Sequence, residues 1–310
     1  MKRYEELMAR ISAGETILID GGTGTEIEGR GVPQLPGAWN GGGTLSHPNI
    51  VRSIHEEYIC HGAEIVIANT FAATHHALTD AGEAGRFADY NRRAIELAVE
   101  ARDRMDAPGV AIAGGVSYWS WTYRHPPLER LERSVAVQTA IMRDAGADLL
   151  MLEMMVGVSR MQTTLRGARE SGLPIWVGLS CDAAADGTMR LMGDRGLSLG
   201  EPDGEPLADA LSILATENVP LVSIMHTDVR HIDACLDVTD KYWNGPVGVY
   251  AHAAVYHEGR WLYENAISTE DYANASERWV RRGVQIIGGC CGIRPDHIEV
   301  LRKRLMDGEA

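Results

Sequence analysis

Val284-Gln-Ile-Ile-Gly-Gly-Cys-Cys-Gly292 is an apolar run that ends in two adjacent cysteines set among glycines. It shows no alternation of apolar and polar residues, so it reads as a strand buried on both faces. Seven similar runs precede it, giving candidate strands at 16–22, 64–70, 110–116, 148–154, 174–180, 220–226, 246–252 and 284–290. Helical periodicity fills the intervals at 46–62, 89–105, 128–145, 159–171, 206–218, 229–242, 268–282 and 295–306. In the first of these, Ser46 is the expected N-cap, Pro48 suits the first turn, Ile50, Ile54 and Tyr58 form one stripe, and Gly62 ends the helix. Eight strands, each followed by a helix, predict a single (β/α)8 TIM barrel occupying residues 1–310 as one domain.

The competing α/β architecture is an open doubly wound sheet with a phosphate-binding loop after its first strand. Gly21-Gly-Thr-Gly-Thr-Glu26 resembles such a loop but lacks its third glycine. No acidic residue ends a second strand at the required distance, and a Gly/Pro-rich loop is expected after the motif in place of a helix.

Composition narrows the function. A chain of 310 residues that is 45% hydrophobic can bury a large core. No apolar run is long enough to span a membrane, and the N-terminus reads as an amphipathic helix with no targeting segment. The net charge of −14 argues against nucleic acid, because scattered Lys and Arg residues do not form the basic patch that phosphate backbones require. Five irregularly spaced cysteines (60, 181, 235, 290 and 291) do not read as a disulfide framework and suggest a reducing cytoplasm.

In a barrel, chemistry gathers at the C-terminal ends of the strands. In chain order those ends carry Asp20-Gly21-Gly22, Asn69-Thr70, Gly114–Ser117, Glu153, Ser180-Cys181, His226, His252 and Cys290-Cys291. Three long loops at this face, 23–44 around Trp39, 182–205, and 253–267 with Tyr256, Trp261 and Tyr263, are candidate lids. Two neighbouring thiols suit a soft divalent metal such as Zn2+, and a site with three protein ligands keeps a position for substrate. The third ligand must come from another strand end, and position alone leaves His226, Cys181 and His252 all open.

Asp20–Glu26, the 46–71 region, Gly114-Gly-Val-Ser117, Glu153, and Gly288–Gly292 followed by Pro295-Asp-His-Ile298 together resemble the homocysteine S-methyltransferase family over about residues 15–305. Pro36-Gly-Ala-Trp39, residues 113–117 and the C-terminal motif are similar to its betaine-homocysteine methyltransferase branch. The resemblance implies a zinc-dependent barrel that moves a methyl group from a cationic onium donor to a thiol acceptor, homocysteine, giving methionine. It implies metal ligation by Cys290 and Cys291. The family's third cysteine closes a Gly-x-Asn-Cys pattern, whereas this chain reads Ser223-Ile-Met-His226, which makes His226 the replacement ligand. Two thiolates, one imidazole and Zn2+ sum to zero formal charge, compared with −1 for three thiolates, so less electron density reaches the acceptor sulfur.

By the same resemblance Glu153 holds the amino group of homocysteine. Asp20, Gly21, Gly22, Asn69 and Thr70 orient the substrate, and Trp39 contacts the donor. Tyr118, Trp119, Trp121 and Tyr123 crowd the loop after the third strand in a chain with only 6% aromatic residues, and aromatic faces attract onium ions. Ala72 and Met154 stand where the betaine branch has tyrosines, which leaves the donor's identity open. The family's assemblies vary, so a homo-oligomer is also open. A zinc hydrolase on the same barrel and a non-catalytic onium-binding relative are the alternative functions.

Overall fold

A computed structural model describes residues 2–196, 200–253, 255–257, 260–262 and 267–306. Eight parallel strands form one sheet: β1 (Ile17–Leu18), β2 (Ile65–Ala68), β3 (Ala111–Val116), β4 (Leu149–Met155), β5 (Ile175–Leu179), β6 (Val222–Asp228), β7 (Val247–His252) and β8 (Ile286–Ile287). Each pairs with the next in sequence, β8 pairs with β1 through Ile17 and Ile286, and a parallel bridge between Ile19 and Ile65 joins β1 to β2. The sheet is therefore a closed (β/α)8 barrel, as the repeated strand-helix pattern predicts.

The strands are runs of Ile, Val, Leu and Ala because both faces are covered: the inner one by the barrel core, the outer one by helices. All seven residues of β4 are buried. The principal outer helices are Pro48–Cys60, Phe87–Arg104, Leu128–Ala145, Val158–Arg169, Leu207–Leu214, Ile232–Tyr242, Thr269–Arg281 and Pro295–Leu305. Among the described residues, no helix is long and apolar enough to cross a membrane.

Three local expectations are corrected. Ser46 is not the N-cap of Pro48–Cys60. That position belongs to His47, and Ser46 Oγ donates to Gly42 O from a short helix of its own, Gly43–Ser46. The segment after β1 is not all loop, because Thr23–Gly29 is helical. Its Thr and Gly residues are poor helix formers. Burial of Ile27 and ion pairs from Glu26 to Arg30 and Arg294 override that propensity. Regular pairing in β8 stops at Ile287, yet the backbone stays tied: Gly289 N donates to Asp20 O and Cys290 N to Ala251 O.

Two of the expected lid loops contain short antiparallel hairpins, Cys181–Ala183 with Met189–Leu191 and Val255–His257 with Arg260–Leu262. Tyr263 lies outside the described residues.

Candidate metal centre

His226 lies near the end of β6 in an unusual backbone conformation. The pairing of β6 with β7 shifts register between Met225 and Asp228, and His226 has φ +43°. Such a bulge re-aims one side chain, at a cost of order 1 kcal/mol for a non-glycine residue in this region. Thr227 pins it: its Oγ1 donates to Met225 O and accepts from Cys181 N, at 3.0 and 2.9 Å. A matching irregularity falls in β4 between Leu152 and Met155, where Met154 has φ +56°. Met225 links the two bulges, since its sulfur accepts from Met154 N and from Ser180 Oγ, both at 3.1 Å.

The β6 bulge brings the imidazole to the two cysteines. His226 Nδ1 is 3.4 Å from Cys290 Sγ, and Cys290 Sγ is 3.8 Å from Cys291 Sγ. One ligand atom from each of the three lies within 4.8 Å of the others. Tetrahedral zinc, with Zn–S of about 2.3 Å and Zn–N of about 2.05 Å, requires S···S edges of about 3.8 Å and S···N edges of about 3.6 Å. The two distances therefore match the edges of a zinc tetrahedron, and the donor set suits that ion. The adjacent Cys291 sulfur and burial push the Cys290 thiol well above its ordinary pKa, while His226 pulls it down. A cation is what would let both sulfurs ionise together.

Neither of the other two candidates for third ligand joins this cluster. Cys181 is buried beside Cys235. His252 packs edge-on against the His226 ring, with centroids 4.6 Å apart, and burial drives its pKa well below the usual range.

Above the metal group opens a cavity of about 570 Å³. Glu153, Met225, His226, Tyr250 and both cysteines line its inner end, and Trp39, Phe71, Trp119, Trp121 and Tyr123 line the rest. Trp121 is the centre of the aromatic wall, 6.2 Å from Trp39 and 6.0 Å from Phe71, the latter edge to face. Trp119 and Tyr123 pack edge to face at 6.4 Å. The loop carrying them is tied down by His76, which bonds Trp119 O, and by Thr122, which donates to Asp80.

Glu153 is only 8% exposed, and burial raises its carboxyl to about 8. Gly115 makes room for it, because a Cβ there would collide with Glu153 Oε2. Asp20 is fully buried: Oδ2 accepts from Ile67 N at 2.8 Å, and Oδ1 has no hydrogen-bond partner among the described residues. Burial, reinforced by the charge of Glu153, holds Asp20 well above the usual carboxylate range, against the pull of the Ile67 N–H.

Gly21, Gly22, Trp39, Asn69 and Glu153 reach the cavity wall, whereas Asp20 and Thr70 are not among its lining residues. Thr70 Oγ1 donates to Gly115 O at 2.7 Å, and the Asn69 amide donates to Asn40 O and Thr44 Oγ1, tying the Trp39 segment to β2. Tyr118 belongs to the scaffold: its hydroxyl accepts from Val156 N and donates to Gly157 O. Sequence reasoning passed over Phe71, Met225 and Tyr250. Phe71, one of only two phenylalanines, directly follows Asn69-Thr70 and was open to notice. Met225 and Tyr250 carry no signal beyond strand-like apolar neighbours.

The family model described as homocysteine S-methyltransferase matches residues 17–305. Homocysteine S-methyltransferase 1 of Zea mays is 26% identical, with 97% of each chain covered. Selenocysteine methyltransferase of Astragalus bisulcatus is 25% identical, covering 96% of this chain and 95% of that protein. The metallated form of the homocysteine methyltransferase MmuM from Escherichia coli has the same fold, with a TM-score of 0.75 at 22% identity, over 94% of this chain and 96% of that one.

Proposed function

The chain belongs to the homocysteine S-methyltransferase family, and on that footing we propose that it is a zinc-dependent enzyme carrying a methyl group from an onium donor to the sulfur of homocysteine. One observation carries the zinc assignment: His226, Cys290 and Cys291 meet at the inner end of the cavity with spacings that fit a tetrahedral ion. Cys290, Cys291 and His226 would hold Zn2+, which, when bound, lowers the pKa of a thiol and keeps its sulfur nucleophilic at neutral pH.

The chain's own residues then supply position and charge. Glu153 receives the acceptor's amino group, and Gly21 and Gly22 let the backbone approach the acceptor closely. Asn69 and Thr70 act through the loop and strand they brace, and Asp20 supports the floor through Ile67. Trp39, Trp121 and Phe71 face the donor, where each favourable aromatic contact with a cation contributes roughly 0.5–2 kcal/mol. In the transfer, a carbon–sulfur bond forms to the acceptor as the bond from methyl carbon to the donor's cationic nitrogen or sulfur breaks. The electron pair stays with the donor, which leaves as a neutral amine or sulfide.

We read the chain as one domain, and its five free cysteines fit a cytoplasmic location. The test is to assay metal content and methionine formation from homocysteine with a methylsulfonium and with a trimethylammonium donor. One equivalent of zinc and turnover with either donor are expected. A protein that takes up no zinc, or forms no methionine from either donor, contradicts the proposal.

A further inference from the structure

Tyr250 lies on β7 opposite Met225 of β6, one residue pair below the bulge that aims His226. It lines the inner end of the cavity yet is only 1% exposed. Its hydroxyl has no hydrogen-bond partner among the described residues. A phenol buried without a partner is costly, and here space is kept for it: a Cβ on Gly178 would stand 2.5 Å from the hydroxyl and 2.7 Å from Met225 Cγ. The charges that act on it are those of Glu153, Cys290 and Asp20, and it lines the same cavity as Glu153 and the metal group. Asp20 Oδ1, just behind the cavity wall, is likewise buried without a hydrogen-bond partner among the described residues. Burial keeps the phenol protonated, able both to donate and to accept.

We propose that Tyr250 determines acceptor specificity: its hydroxyl, beside the Glu153 carboxylate, receives the amino group of an amino-acid thiol. The phenol oxygen accepts an N–H of the ammonium. A site built this way rejects a thiol that lacks the amino group, because the hydroxyl and carboxylate would then stay buried and unpaired. The inference rests on the methyltransferase reading for its choice of ligand, but binding alone can decide it.

The experiment measures, by calorimetry on the zinc-loaded full chain, the affinity of homocysteine and of its desamino analogue 4-mercaptobutyrate. Wild type should prefer homocysteine. Tyr250→Phe should weaken homocysteine roughly 10- to 100-fold, the range for a lost hydrogen bond to a charged group, and change 4-mercaptobutyrate less than threefold. Zinc content should hold and the unfolding midpoint should hold or rise, since the deleted hydroxyl is buried and bonds no protein group. Unchanged homocysteine affinity in Tyr250→Phe, or an equal loss for both thiols, overturns the proposal. Homocysteine binding that shows this pattern without any methyl transfer overturns the methyltransferase reading and leaves the role of Tyr250 standing. Failure of wild type to bind homocysteine overturns both.

Discussion

Replacing Glu153 with glutamine should make the ligand-free protein more stable and a worse enzyme. Burial raises this carboxyl from 4.5 to about 8. A group whose folded pKa lies above its unfolded value favours folding fully below the unfolded pKa, and the advantage is lost as pH rises through the folded one. Wild type should therefore lose stability relative to Glu153→Gln from about pH 4.5 upward, levelling off above pH 8. At about 1.4 kcal/mol per pH unit the full penalty is of order 5 kcal/mol, and roughly two-thirds of it is present by pH 7. Urea unfolding of chelator-treated wild type and Glu153→Gln at pH 5, 7 and 8.5 reads this directly, as a gap that widens with pH. In parallel, Glu153→Gln should bind homocysteine at least tenfold more weakly. A stability gap flat across this range would refute the burial argument, and a variant as active as wild type would refute the carboxylate's role.

His55 is fully buried, and burial lowers its pKa to about 4, so it folds as the neutral imidazole. Stability from this residue is complete above about pH 6.5 and falls toward pH 4 by about 3 kcal/mol. His55→Leu should flatten that part of the curve of melting temperature against pH. His226→Ala should weaken zinc at least 100-fold in a chelator competition, whereas His226→Cys, which rebuilds three thiolates, should retain it. An increase in turnover with His226→Cys would mean that the imidazole limits the nucleophile. Trp121→Ala should raise the donor KM roughly 3- to 30-fold with the acceptor KM unchanged, in proportion to a lost cation–π contact. Parallel changes in both KM values would assign Trp121 to packing of the wall.

The barrel is legible in the sequence because each strand is a short Ile/Val/Leu run punctuated by Gly or Pro, and a helical stripe follows each one. Pro174, Pro220 and Pro246 directly precede strands that start within two residues. The cysteine pair is legible for the same reason, since it closes such a run. The choice of His226 over Cys181 and His252 comes from the family resemblance and not from strand pattern, because the aim of His226 depends on a one-residue bulge held by Thr227, and a bulge leaves no mark in composition. Nor does register, on which the facing of Met225 and Tyr250 within the barrel depends. Helix Thr23–Gly29 was illegible because tertiary packing of Ile27 and the pairing of Glu26 outweigh a sequence of Gly and Thr. The aromatic cluster after β3 was legible as a group, but not its division between wall and scaffold. That depends on where Tyr118 finds Val156 and Gly157.

The central claim is that His226, Cys290 and Cys291 hold a zinc ion that receives the acceptor sulfur. X-ray absorption at the zinc edge of the loaded full chain tests it most directly. Two sulfurs at about 2.3 Å and an imidazole nitrogen at about 2.0–2.1 Å are expected, with a third sulfur at about 2.3 Å appearing when homocysteine is added. A shell without imidazole, or a sulfur count that does not change on adding homocysteine, would contradict the account.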